Sequence, residues 1–220
     1  MARYAPTRMW ALQLLTMTSD LHGNAPDNSS VVLLLVDVIN DLEFPGGDVL
    51  AQHALPAARN IAALKEKASS AGIPTIYVND NFGKWRSDFR TLVSHCIDDD
   101  TRGRPIAEIL KPQPEDYFVL KPKHSGFYST TLDLLLKHLG AKTLIIAGFT
   151  GDICILFTAI DAHIRDYRLI LPSDCIVSQD MNENAILLKY MQRVLEADLR
   201  LSHEISRELT RMDAEAVARP

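Results

Sequence analysis

Between Val31 and Leu201 the apolar positions of this chain fall into two alternating patterns. One is the short apolar run: VVLLLVDV (Val31–Val38), PTIYVND (Pro74–Asp80), DYFVLKP (Asp116–Pro122), KTLIIAGF (Lys142–Phe149) and YRLILPSD (Tyr167–Asp174). Runs dominated by Val, Ile and Leu predict strands buried on both faces. The other is a longer mixed run with apolar residues three and four apart, which predicts helices. Such runs cover Val49–Gly72, Thr130–Gly140, about Asp152–Asp166, and Asn182–Ala197. Gly72 and Gly140 read as helix stops. Pro56 reads as the true first turn of its helix or as a kink, because proline lacks the N–H that a helix interior needs. DLRLSHE (Asp198–Glu204) reads as a short sixth strand, followed by a final polar helix. The longest stretch without a clear period is Asn79–Pro114, and a region of that length in a compact domain is functional or partly helical. Its acidic triplet, Asp98–Asp100, reads as a solvated turn.

Strands that alternate with helices predict an α/β fold, a three-layer α/β/α arrangement around a mostly parallel, roughly six-stranded, Rossmann-like sheet. At 220 residues the chain suits one domain, placed at 29–220 behind an extension of 1–28. The extension contains the apolar MWALQLLTM (Met9–Met17) after Arg3 and Arg8. It is too short to span a bilayer and no small-residue cleavage site follows, so it reads as a segment that packs on the domain or on a partner subunit. The net charge of -5 offers no basic surface for nucleic acid and no polybasic membrane anchor. Three cysteines without a repeating spacing argue against a disulfide framework and for a cytoplasmic protein.

In open α/β sheets, sites form at the carboxyl ends of the strands. The groups placed there are Asp37, the Asn79–Asn81 triplet, Lys121 with Lys123, and the segment from Gly148 to Cys154. A thiol must become a thiolate to attack a carbonyl, and a helix N-terminus favours that charge. Cys154 stands about where a helix begins, with Asp37 as a candidate base and a lysine as a candidate electrostatic partner. Taken singly, each has a structural reading: a small core residue, a turn-capping carboxylate, an exposed cation.

Taken together, three segments resemble the isochorismatase-like cysteine hydrolase superfamily. LLLVDVINDLEF is similar to the family's first motif, with Leu42 where Phe is common. LKPKHSGFYSTTLD is similar to the second, where a lysine precedes a Ser-Ala-Phe segment by four positions; Lys121 stands four before Ser125, and Gly126 replaces Ala, a change expected to widen the pocket. AGFTGDICILFTAIDA is similar to the third, with the cysteine two residues after Asp152. The resemblance implies a triad of Cys154 as nucleophile, Asp37 as proton acceptor and donor, and Lys121 as electrostatic partner, Lys123 being left as a rim charge. It further implies a cis peptide bond between Phe149 and Thr150, with the Thr150 and Cys154 amides forming an oxyanion hole. Members of the family are often dimers or tetramers, so a homo-oligomer is expected.

The resemblance implies hydrolysis of a small amide or ureide through a thioester. The name-giving isochorismatases cleave a vinyl ether and commonly lack the cysteine, so Cys154 points to the amidase branch. Vinyl ether hydrolysis and a non-catalytic ligand-binding role are the alternatives. Nicotinamidases of the family bind metal through an Asp-x-His pair; here Asp80 is followed two residues later by Phe82, so no catalytic metal and no cofactor are expected. GFTGD lacks the G-x-G-x-x-G pattern of a dinucleotide site. NFGKWRSD (Asn81–Asp88) is the candidate specificity loop: Asn81 lies at its start, Trp85 offers a flat apolar wall, and Arg86 offers a fork for a carboxylate. Phe44 and Phe127, beside the first two motifs, are expected to close the pocket.

Overall fold

A computed structural model describes residues 28–82, 88–209 and 211–212. The extension, apart from its last residue, and the Trp85 and Arg86 assignments lie outside the described residues. The strands are β1 (Val31–Val36), β2 (Thr75–Asp80), β3 (Tyr117–Lys121), β4 (Thr143–Phe149), β5 (Arg168–Ile170) and β6 (Ile176–Val177). They form one six-stranded sheet in the order β3-β2-β1-β4-β5, with β6 pairing β4 beyond the end of β5. Every pairing is parallel. The order reverses between β1 and β4, which opens a crevice at their carboxyl ends.

All six residues of β1 are fully buried, which is why its sequence does not alternate. Val31, Leu33 and Leu35 face one core, and Val32, Leu34 and Val36 face the other. The first core is covered by α1 (Gly47–Ser70), α2 (Phe89–Asp98), α3 (Arg104–Ile109) and α7 (Ser202–Ser206). The second is covered by α4 (Leu132–Leu139), α5 (Leu156–His163) and α6 (Met181–Val194). No described helix is long and apolar enough to cross a membrane.

Helix α1 ends as Gly72 predicts. Gly72 takes φ +75°, its N–H bonds the Ser69 carbonyl, and the Ile73 N–H bonds the Ala68 carbonyl. That pair of bonds is a Schellman cap. Pro56, however, does not start α1; it lies inside the helix, on its solvent face, as does Gln52 one turn earlier. The carbonyl that the proline leaves without its usual donor therefore sits on the wet side.

The sixth strand is not Asp198–Glu204. That segment contributes only a bridge between Asp198 and Ile170, then turns into α7. The Asp174 carboxylate accepts from both the amide and the hydroxyl of Ser202, which fixes the helix start there. The irregular region after β2 is partly helical: Asp88 caps α2 by accepting from the Thr91 amide at 2.8 Å.

Gly148 takes φ +129°, and a β-carbon there would overlap the Val36 carbonyl oxygen of the neighbouring strand. Nothing lies within 4 Å of the corresponding point at Gly72. Gly148→Ala is therefore expected to cost at least about 3 kcal/mol. Gly72→Ala, which meets only the left-handed backbone, should cost about 1–2 kcal/mol. Urea unfolding of the two variants measures the difference; equal losses would show that strand proximity at Gly148 is not what demands glycine.

Candidate active site

Four strand ends supply the polar groups. Asp37 directly follows β1 and takes φ +52°, in the left-handed region that aspartate tolerates better than most residues. Its amide donates to the Val78 carbonyl, and its Oδ1 accepts from the Asp80 amide at 2.7 Å, so the end of β2 clamps both its backbone and its carboxylate. Asp80 and Lys121 are register partners at the ends of β2 and β3. Cys154 lies in a π-helical turn, Gly151–Ile155, that leaves β4 and runs into α5. Within that turn the Thr150 carbonyl accepts from the amides of both Ile153 and Ile155.

Lys121 brings these ends together. Its side chain is fully buried, and its Nζ lies 2.8 Å from Asp37 Oδ2, 3.6 Å from Asp80 Oδ2 and 3.4 Å from Cys154 Sγ. An ammonium has three protons and no acceptor, and here three partners surround it. Lys123 is exposed.

Burial pushes the Asp37 carboxyl above its usual range, and the Lys121 charge and hydrogen bonds from Cys154 and Lys121 offset only part of that. Burial also pushes the Cys154 thiol upward, and the Asp37 charge adds to it against the opposing pull of Lys121. For Lys121, burial pulls downward but the charges of Asp37, Cys154 and Asp80 outweigh it, leaving a stable ammonium. A protonated thiol thus sits beside a carboxyl group held above its usual range and a fixed cation. The arrangement allows a proton to pass from the sulfur to ionised Asp37, which would leave a thiolate beside the ammonium.

A cavity of about 450 Å³ opens on Asp37, Asp80 and Cys154. Its apolar walls include Leu42, Phe44, Phe82, Phe149 and Ile153, and its polar positions include Asn40, His124, Thr150 and Gln179. The wall that holds Asn40 and Leu42 is strapped from outside. The Asp41 carbonyl accepts from the Gly103 amide at 2.8 Å, Arg102 donates to the Leu42 carbonyl at 2.5 Å, and His95 pairs with Asp41 at 3.2 Å.

Of the other residues singled out from sequence, Phe44 lines the cavity and Thr150 lies on its wall, with the Phe149–Thr150 peptide bond cis. Phe127 does not close the pocket. It is buried in the second core against Tyr167, with the Arg165 guanidinium 4.7 Å over its ring. Ser125 accepts from the Phe127 amide and donates to Asp161, and that local turn aims the ring inward. Gly126 likewise faces the interior, where a β-carbon would press on Val78 and Leu132, so it does not widen the pocket. Asn81 is buried beside the site, its amide on the Lys121 carbonyl, without lining the cavity. Asp80 both carries a turn, accepting from the Phe82 amide, and joins the ion network.

Asn40, His124, Ile153 and Gln179 were missed. The first three lie within the motif segments and needed only their facing direction. Gln179 follows a two-residue strand that leaves almost no pattern. Among the described residues, no three His, Cys, Asp or Glu side chains are grouped to hold a metal ion.

Known proteins match this frame. A family model described as the isochorismatase domain matches residues 31–198. The uncharacterized isochorismatase family protein YaaI of Bacillus subtilis is 40% identical over 173 residues, covering 79% of this chain and 94% of that protein. The ureidoacrylate amidohydrolase RutB of Methylorubrum extorquens is 26% identical over 67% of this chain and 70% of its own length. The crystal structure of N-carbamoylsarcosine amidase from Thermoplasma acidophilum superposes with a TM-score of 0.61 at 26% identity, over 79% of this chain and 96% of that one. With the family model spanning the sheet from β1 to the Asp198 bridge, and a relative at 40% identity over nearly its whole length, this chain belongs to the isochorismatase-like hydrolase family.

Proposed function

We propose that this hydrolase is a metal-independent cysteine amidohydrolase that cleaves a C–N bond of a small amide or ureide through a thioester. The observation that carries the reading is the Lys121 ammonium within reach of both the Asp37 carboxylate and the Cys154 sulfur at a cavity of small-molecule size. Two of the relatives are named as an amidohydrolase and an amidase, which supports the same reaction class.

In this mechanism Asp37 takes the thiol proton as the sulfur attacks the substrate carbonyl carbon. The carbonyl π pair moves to oxygen, where the amides of Thr150 and Cys154 are the donors assigned to the oxyanion. Collapse breaks the C–N bond, and Asp37 returns its proton to the leaving nitrogen. Water then attacks the thioester with Asp37 again as base, releasing the acid and restoring the thiol. Lys121 stays protonated throughout and offsets whichever neighbour carries the negative charge.

The direct test is an ammonia-release screen over amides, ureides and carbamoyl amino acids, with isochorismate as a separate arm and Cys154→Ala as the blank. On a substrate so found, Cys154→Ala and Asp37→Asn should each lose about 10⁴-fold or more in kcat. Cys154→Ala should keep the wild-type Tm, because it removes little volume. Lys121→Met should lose activity and also about 3 kcal/mol of stability, since it leaves two carboxylates facing an apolar chain. Substantial turnover by Cys154→Ala would assign the attack to water instead.

The pH dependence follows from Asp37. A base acts in its ionised form, so kcat/KM should rise with pH through an apparent pKa above the ordinary aspartate range. An acid limb at or below that range would remove Asp37 as the base.

Metal-independence has its own check. Exhaustive dialysis against a chelator should leave kcat unchanged. A loss that zinc or manganese restores would place a metal in the reaction.

A further inference from the structure

Behind the nucleophile's turn lies a buried polar relay that the mechanism above does not use. The Asp152 amide, two residues before Cys154, donates to Ser178 Oγ at 3.2 Å. Ser178 donates in turn to Asn184 Oδ1 at 2.9 Å, and Asn184 Nδ2 donates to the Ile176 carbonyl at 3.0 Å. Ser178 and Asn184 are each 1% exposed, so water is not at hand to replace either. Gly151 packs straight onto the relay: a β-carbon there would overlap Asn184 Oδ1 and stand 3.1 Å from Ser178 Oγ.

The direction of each bond is forced. The Ile176 carbonyl can only accept, so Asn184 must turn its NH₂ toward it. That leaves Asn184 Oδ1 facing Ser178, whose single proton must then point at Asn184. Ser178 is thereby held with a lone pair toward the Asp152 N–H. Asn184 is itself fixed in the first turn of α6, its amide on the Asp180 carbonyl, and Asp180 caps that helix through the amides of Asn182 and Glu183. Ile176 belongs to β6, which pairs with Gly148 and Phe149 of β4. The relay therefore ties the turn between Thr150 and Cys154 to a strand and a helix outside the triad.

We propose that Ser178 and Asn184 are positioning residues for the nucleophile's turn: they set the aim of the backbone amides that receive the oxyanion, without touching substrate. This rests on the thiol mechanism proposed above. The relay fixes the segment by its own N–H, and small errors in aim weaken an oxyanion hole steeply.

The test needs no natural substrate. Propionaldehyde adds to Cys154 as a hemithioacetal: the thiol sulfur bonds the carbonyl carbon, the π pair moves to oxygen, and the thiol proton ends on that oxygen. Iodoacetamide alkylates the same sulfur by displacement of iodide, with no oxyanion formed. Protection of Cys154 from iodoacetamide by increasing propionaldehyde, read by mass spectrometry on the Cys154 peptide, measures the first reaction. The alkylation rate without aldehyde measures the second. Ser178→Ala should raise the half-protecting aldehyde concentration about tenfold, with a far smaller change in alkylation rate. Asn184→Ala should do the same, the double variant should be no worse than the poorer single, and Ser178→Thr, which keeps the hydroxyl, should stay near wild type. Ser178→Ala with unchanged aldehyde protection overturns the proposal while leaving the thiol mechanism standing. Equal losses in both reactions, together with a lowered Tm, would reduce the relay to a structural support and overturn it as well. A wild-type protein whose Cys154 captures no aldehyde and resists iodoacetamide fails the underlying mechanism, and the proposal with it.

Discussion

The constraint on which the site depends is the burial of one ammonium. Lys121 has no exposed surface, and an isolated charge in that position would be prohibitively costly. Its charge is tolerated because Asp37, Asp80 and Cys154 close around it. Those three come from the ends of β2 and from loops after β1 and β4, so the ammonium fixes the relative placement of four chain segments at one end of the sheet. The parallel register supplies the coarse alignment, Val36 against both Val78 and Gly148, and Asp80 against Lys121. The cation supplies the last ångströms. This is a poor device for stability alone, since apolar packing of similar volume commonly does as well. Its merit lies in holding a carboxylate and a thiol against one positive charge.

That arrangement shifts the chemistry away from a permanently ionised thiol. Burial raises both Cys154 and Asp37, so neither gives up its proton readily to water, yet each can exchange one with the other. Total negative charge beside Lys121 is the same with the proton on sulfur or on carboxylate, although the ammonium lies closer to the carboxylate, at 2.8 Å against 3.4 Å.

The sheet was legible because buried parallel strands write themselves as unbroken apolar runs, and the helix stops because glycine at Gly72 and Gly140 has few other uses. Strand-end placement put Asp37, Lys121 and Cys154 among the polar groups at one edge of the sheet, but runs do not give strand order, and Lys121 reaches Asp37 past the end of an intervening strand. The family motifs singled out the three as a set. What failed did so for local reasons. Phe127 was placed in the pocket by proximity to the second motif, but Ser125 turns it into the core. Asp198–Glu204 looked extended, but only Asp198 makes a bridge, and from Ser202, held by Asp174, the chain is helical. Asn184 reads as an ordinary polar position on α6, although it is buried against the Gly151 backbone.

These failures share a cause that bears on how such a fold diversifies. The floor of the site comes from strand ends, whose direction is dictated by the period of the pleat and whose residues are held by one another. Much of the wall, Asn40, Leu42, Phe44, Phe82, His124 and Gln179, lies on connections, while Leu50, Phe149 and Ile153 come from α1, β4 and the turn after it. Leu42 keeps its left-handed backbone beside an Asn40 side chain that accepts its amide, and the Asp41 and Leu42 carbonyls are strapped to the segment between α2 and α3. A substitution in such a strap can move a wall without disturbing Lys121 or its partners. The polar floor is therefore rigid and interlocked, while much of the wall lies on loops that sequence periodicity does not constrain.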